Sequence, residues 1–258
     1  MKLTQKDLLD LQVEIKNILI KAGDIICKSW NSSVISKQKD RRDIATNIDI
    51  EVEDFLRDKL TKLLPEAGFI VEEGKSIKKS YYNWVIDPID GTKQYYNRLP
   101  MFYTQIALLY KDLPIIGAIY NPVSKQMFSS SKNNGAYLNE IKIIAKTNNS
   151  LKSSIIEIDF SSSNIFFNQK NQIITRLLKS CYRVRMSAGF MGPYIITGAI
   201  DAIIRSNLKT NKQFTDISAH LLLCEEAGLK NKYINISGFP IIITASDLLA
   251  NKITNLLL

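Results

Sequence analysis

Apolar side chains recur at helical spacing over residues 5–29, where Leu8, Leu11, Ile15, Ile18, Leu19, Ala22 and Ile26 share one face. Thr4 followed by Asp7 is a helix start signal. A second helix is predicted from about residue 48 to 64, with Val52, Phe55, Leu56, Leu60 and Leu63 on one face, ended by Pro65 and Gly68. The pattern then changes. Phe69-Ile70-Val71 and Trp84-Val85-Ile86 are short, wholly apolar and strand-like, and each runs directly into carboxylates. Residues 103–138 read as a β-meander, with strands at 103–110, 115–120 and 126–130. Lys111-Asp112, Asn121-Pro122 and Asn133-Asn134-Gly135 supply its turns. The second half alternates: strand 154–158, helix 168–180, strand 182–186, helix 191–197, strand 201–205, helix 217–227 and a final strand 241–245. Helices and strands in comparable number predict a layered α/β or α+β fold.

Length and composition narrow the class. The chain has 258 residues, 45% hydrophobic and 23% charged, which suits a soluble globular protein able to bury a large core without staples. Cys27, Cys181 and Cys224 lie far apart and form no CxxC pair, which argues against a zinc site or a disulfide framework and for a reducing cytoplasm. The first helix carries charges throughout, so a signal-peptide core is not expected, and no apolar run approaches the ~20 residues that span a bilayer. The net charge is +9, but the basic residues are spread along the chain, with only short clusters such as Lys37-Gln38-Lys39-Asp40-Arg41-Arg42. That distribution reads as a solvated lysine-rich surface rather than a nucleic-acid-binding module, although a positive surface also attracts anionic substrates.

The chemistry concentrates in Asp87-Pro88-Ile89-Asp90-Gly91-Thr92. Pro88 fixes its own φ and keeps the residue before it extended, while Gly91 permits a tight reversal before a turn or helix near Thr92. Such a corner aims two carboxylates at one point, where they repel unless a cation lies between them. Magnesium prefers these oxygen ligands and keeps waters that a phosphate can displace. The same residues also suit a plain Asp-Pro-x-Asp-Gly turn. Three further features bear on the choice. Glu72-Glu73 also closes an apolar strand, although an exposed Glu pair alone reads as a solvated loop. Asp216 precedes an apolar helix, where it serves either as a ligand or as an N-cap. Thr46 and Asp49 form a capping-box variant, which alone explains them.

Taken together, these positions resemble the inositol monophosphatase family over most of the chain, from about Val13 to Ala227. The most specific element is Trp84-Val85-Ile86-Asp87-Pro88-Ile89-Asp90-Gly91-Thr92. Asp43-Ile44-Ala45-Thr46-Asn47-Ile48-Asp49 is similar to the family's Asp-x-x-Thr-x-x-Asp segment, and Val71-Glu72-Glu73 to its Glu-Glu segment. Phe214-Thr215-Asp216-Ile217-Ser218-Ala219 is similar to its late Trp-Asp segment, with Thr215 in place of the aromatic residue. The resemblance implies an α+β, five-layered αβαβα sandwich. It places one phosphatase domain over residues 1–258, with the metal site in about 1–150 and Asp216 contributed by about 151–258. It implies a lithium-sensitive enzyme with two or three Mg²⁺ ions, dimeric and cytoplasmic, acting on a small phosphorylated metabolite, with no membrane or nucleic-acid partner.

By position, the resemblance assigns Glu72, Asp87 and the Ile89 carbonyl to one metal, and Asp87, Asp90 and Asp216 to a second. Glu73 supports the site as a nearby acid, and Asp49 and Thr92 position the attacking water. The Gly91 and Thr92 N–H groups meet the phosphate, and Ser187 and Ala188 the alcohol part of the substrate. Metal-assisted hydrolysis needs no histidine, serine or cysteine nucleophile, so His220, inside an apolar helix, reads as structural. Lys209 falls where inositol phosphatases carry a substrate-binding acid. Lys93 after Gly91-Thr92 resembles the adenosine 3',5'-bisphosphate phosphatase branch, and a basic pocket with Lys209 suits a doubly phosphorylated nucleotide, whereas Arg98-Leu99-Pro100 and the meander resemble the inositol branch, which is slightly favoured. A catalytically inactive binding or regulatory protein is the alternative of another class. The short tail after Glu226-Ala227-Gly228 predicts a trimmed last layer.

Overall fold

The computed structural model describes residues 3–32, 34–40, 43–79, 81–160, 165–186, 192–206 and 211–258, with the backbone alone described at 37–40, 43, 211–214 and 216. The chain opens with helix α1 (Gln5–Lys28), started by a capping box in which Thr4 and Asp7 bond reciprocally. A polar hairpin of β1 (Ile35–Asp40) and β2 (Asp43–Thr46) follows, then α2 (Asn47–Leu63). Next come β3 (Gly68–Val71), β4 (Tyr82–Asp90), the short helix α3 (Thr92–Tyr96) and β5 (Tyr103–Tyr110). The meander continues through β6 (Leu113–Asn121), β7 (Gln126–Ser131), β8 (Gly135–Leu138) and β9 (Ile141–Ile143). The second half comprises β10 (Ile155–Asp159), α4 (Phe167–Ser180), β11 (Arg183–Arg185), β12 (Ala202–Ser206), α5 (Asn211–Glu226), β13 (Lys230–Ile236), β14 (Phe239–Ala245) and α6 (Asp247–Leu257).

Strands β3 to β9 form a seven-stranded sheet in chain order, parallel only between β3 and β4. The other large sheet runs β11-β10-β12-β14-β13, with β10 parallel to both its neighbours. Alternation along the strands assigns the layers. Trp84, Ile86, Ile106 and Leu108 face α1 and α2 on one side of the seven-stranded sheet. Val85, Ala107 and Leu109 face the opposite way, onto Ala219, Leu223 and Cys224 of α5. Ile203 of β12 joins that middle layer, while Ala202 and Ile204 turn outward to Ile173 and Leu177 of α4 and Leu249 and Ile253 of α6. The order is helix, sheet, helix, sheet, helix, which is the expected αβαβα sandwich. Gly117 of β6 lets α5 approach closely: a Cβ there would stand 2.7 Å from the Ala219 carbonyl oxygen. No helix among the described residues is long and apolar enough to cross a membrane.

Several expectations are corrected. Residues 191–197 do not form an α-helix; a 3-10 turn at Gly192–Ile195 takes their place, since Pro193 offers no N–H and Gly198 sits at φ +79. Residue 191 itself lies outside the described residues. Helix α5 starts at Asn211, so Asp216 lies in its second turn and does not cap it. The last layer is not trimmed. Ser246 caps α6, which buries Leu249, Ala250, Ile253 and Leu257 against the smaller sheet.

Candidate active site

Strand β4 lies between β3 and β5 and is buried along nearly its whole length. Its partners fix where regular pairing ends. The last β3 pair is Val71 with Ile86, so Glu72 emerges beside Asp87. On the other side the ladder holds to Asp87 opposite Gln105, then breaks before Asp90 pairs with Tyr103. Pro88 has no N–H to give the ladder, which explains a break at this point in an interior strand. The break brings both carboxylates to one amide: Gln105 Nε2 donates to Asp87 Oδ2 at 3.4 Å and to Asp90 Oδ2 at 3.0 Å. Asp87 is 1% exposed, whereas Asp90 is part-exposed.

Gly91 turns the chain. Its φ is +92, and a Cβ would stand 3.0 Å from the Met101 carbonyl oxygen, so a side chain there meets both backbone strain and backbone atoms. Helix α3 then begins at Thr92, as the sequence predicts. It is pinned through Tyr95, whose hydroxyl donates to the Ile26 carbonyl at 3.1 Å and whose ring packs edge-on against Phe102. Trp30 Nε1 donates to the Tyr95 carbonyl at 2.8 Å. The end of α1 therefore holds the segment that carries Thr92.

The capping box at the start of α2 is present and does more than cap. Asp49 Oδ2 accepts from the Thr46 backbone N–H at 2.8 Å and from the Thr46 hydroxyl at 2.5 Å. Its other oxygen, Oδ1, accepts from Thr92 Oγ1 at 3.0 Å, and Thr92 Oγ1 also lies 2.9 Å from the Ile89 carbonyl oxygen. Burial pushes the Asp49 carboxyl up to about 6 against the opposing pull of its Thr46 and Thr92 hydrogen bonds, and the charge of Glu72 adds to the rise. The structure thus gathers Asp49, Thr92 and Ile89 by direct contact, Asp87 and Asp90 through Gln105, and Glu72 within electrostatic reach of Asp49.

Two residues escaped the sequence reading. Gln105 sits in an apolar strand as a single buried amide, and only its register opposite Asp87 reveals its role. Glu53 lies one turn after Asp49 on α2 and is 2% exposed, and it accepts from the backbone N–H groups of Glu73 at 2.8 Å and Gly74 at 2.9 Å. A charged residue on the buried face of a helix is the signal that could have found it. Ser187, Ala188 and Lys209 lie outside the described residues, as does the side chain of Asp216. Among the described residues, no three His, Cys, Asp or Glu side chains already stand close enough to hold a metal ion. The donor set of Glu72, Asp87, Asp90 and the Ile89 carbonyl is nonetheless all oxygen, which fits magnesium and fits soft transition metals poorly.

Similarity to known proteins extends over most of the chain. The sequence model of the inositol monophosphatase family matches residues 8–255. Nus factor SuhB of Escherichia coli (strain K12) is 29% identical over 215 residues, covering 81% of this chain and 79% of that protein. The crystal structure of extragenic suppressor protein suhB from Bartonella henselae superposes with a TM-score of 0.85 at 21% identity, covering 96% of this chain and 98% of the other. A Thermotoga maritima IMPase structure superposes with a TM-score of 0.81 at 24% identity, covering 96% of each chain.

Proposed function

Because the chain belongs to the inositol monophosphatase family, we propose that it is a magnesium-dependent phosphatase that hydrolyses a small phosphate monoester of the inositol 1-phosphate type. The observation that carries this reading is the bond from Thr92 Oγ1 to Asp49 Oδ1 at the corner where Asp87 and Asp90 converge on Gln105. Glu72, Asp87 and the Ile89 carbonyl would hold one ion, and Asp87, Asp90 and Asp216 a second. Bound magnesium supplies positive charge against the phosphate oxygens and lowers the pKa of water.

The chain's own residues do the rest. Thr92 donates its single hydroxyl proton within the Asp49–Ile89 pair, which leaves its lone pairs to accept a hydrogen bond from the attacking water. Burial raises the Asp49 carboxyl, and its bond to the Thr92 hydroxyl lets it draw on that hydroxyl as the water gives up its proton. The Gly91 and Thr92 N–H groups, at the turn into α3, meet the phosphate oxygens. Gln105 keeps the two aspartates in one orientation and stabilises their charged forms. Ser187, Ala188 and Lys209 contact the remainder of the substrate.

The test is phosphate release from inositol 1-phosphate, adenosine 3',5'-bisphosphate and fructose 1,6-bisphosphate, with and without Mg²⁺ and Li⁺. Magnesium-dependent, lithium-inhibited release with inositol 1-phosphate preferred is expected. Preference for adenosine 3',5'-bisphosphate would move the enzyme to the nucleotidase branch, for which Lys93 and Lys209 speak. The name of the E. coli relative, a Nus factor, favours a second reading: a binding or regulatory protein on the same fold. In that reading the basic surface, +9 overall, meets nucleic acid, reversing the expectation drawn from its dispersed lysines. Folded protein that releases phosphate from none of the three substrates would select it.

A further inference from the structure

The segment that carries Glu72 is tied down at several points, and its base is an isolated antiparallel bridge. At its base, Phe69 and Ile77 exchange both backbone hydrogen bonds, at 2.7 and 2.8 Å. Inside the loop, the Val71 N–H donates to Ser76 Oγ at 3.1 Å. At its crest, the buried Glu53 carboxylate accepts the N–H groups of Glu73 and Gly74, one on each oxygen, at 2.8 and 2.9 Å. Arg57, one turn further along α2, donates Nε to Glu53 Oε1 at 3.3 Å, Nη2 to the Lys75 carbonyl at 2.5 Å, and lies over the Phe69 ring.

A carboxylate is the only protein side chain that accepts two adjacent N–H groups on two equivalent oxygens without presenting a donor to either. Burying that charge is costly unless it is paired and fully bonded, as Glu53 is through the two amides and Arg57. Asp49 and Glu53 are one turn apart on the same helix. One bonds Thr92 and the other bonds the loop of Glu72, so α2 sets the distance between the two halves of the site.

We propose that Glu53 is a positioning residue for the metal site: by clasping the Glu73 and Gly74 amides it holds Glu72 in the orientation that binds magnesium. The proposal rests on the magnesium reading given above. It requires that loosening the clasp weaken metal binding without touching a ligand. Gly74 offers a second way to disturb it, because a Cβ there would stand 2.6 Å from Glu53 Oε1, while Gly74 itself is exposed and has no positive φ.

The experiment titrates magnesium into the full-length protein by calorimetry for wild type, Glu53→Gln and Gly74→Ala. Hydrogen exchange of the 71–77 segment is followed in parallel. The expected result is roughly 10- to 100-fold weaker magnesium binding in both variants. Faster exchange of the Glu73 and Gly74 amides should accompany it. Excess magnesium should restore kcat with KM for substrate unchanged, which a merely destabilised fold would not show. Wild-type binding with the same affinity in both variants would overturn the proposal alone. A wild-type protein that binds no magnesium would overturn the underlying reading and the proposal with it.

Discussion

Asp90 is the side chain at which chemistry separates most cleanly from folding. It is part-exposed, it sits after the last regular pair of β4, and its bond to Gln105 is one that an asparagine oxygen still accepts, more weakly for want of the charge. Asp90→Asn removes a charge facing Asp87 and no core packing. Its turnover should fall by roughly two orders of magnitude or more, while its melting temperature in chelator stays level or rises. Wild-type turnover in the variant would remove Asp90 from the metal site. Among individual residues, those legible from the sequence were the ones a short motif makes conspicuous: Asp87, Asp90, Gly91 and Thr92. Glu53 and Gln105 were not, because Glu53 is one of several acids along α2 and Gln105 a single amide in an apolar strand, and what makes each matter is a partner 20 or 18 positions away.

At the scale of elements, amphipathic period decided what could be foreseen. Helices α1 and α2 bury one face and expose another, while the meander strands are short apolar runs buried on both faces and bounded by turn residues, so their side chains announce them. Strands β1 and β13 are polar along most of their length, Ile-Ser-Lys-Gln-Lys-Asp and Lys-Asn-Lys-Tyr-Ile-Asn-Ile, and were not foreseen. Helix α6 carries its own Ser246 cap and a buried face, yet it was masked by the reading of the tail as trimmed. Strand β6 and helix α5 meet where neither can move apart by side-chain adjustment alone. A methyl group at Gly117 would meet three backbone atoms of Ala219 at 2.7 to 3.2 Å. Gly117→Ala should therefore destabilise the protein by about 1–3 kcal/mol, the usual cost of overpacking. Chemical denaturation would read it, and an unchanged midpoint would mean that the two layers slide freely. Since α5 also carries Asp216, activity should fall in the same variant.

For the whole molecule, the middle layer is where the two sheets depend on each other, and it contains the chain's one histidine. His220 is fully buried, and burial, reinforced by the charge of Arg205, holds its pKa well below the usual imidazole value. The folded protein therefore keeps it neutral while the unfolded chain protonates near pH 6.5, its ordinary value. The stability it contributes is complete above that pH and is lost as the pH falls toward the depressed folded value. The urea midpoint of the wild type should drop between pH 7.5 and 5.5 more steeply than that of His220→Gln; parallel slopes would show that another group governs the acid limb. Asp49 sets a different kind of limit. It starts helix α2 with one oxygen and touches Thr92 with the other, so a lineage that gave up turnover would still need it in order to fold. Asp90 lies at the end of β4, where it accepts from Gln105, and it starts no helix. When distant members of this lineage are sorted into working enzymes and descendants that only bind, the presence of Asp49 is a poor guide, because its place at the start of α2 outlasts turnover.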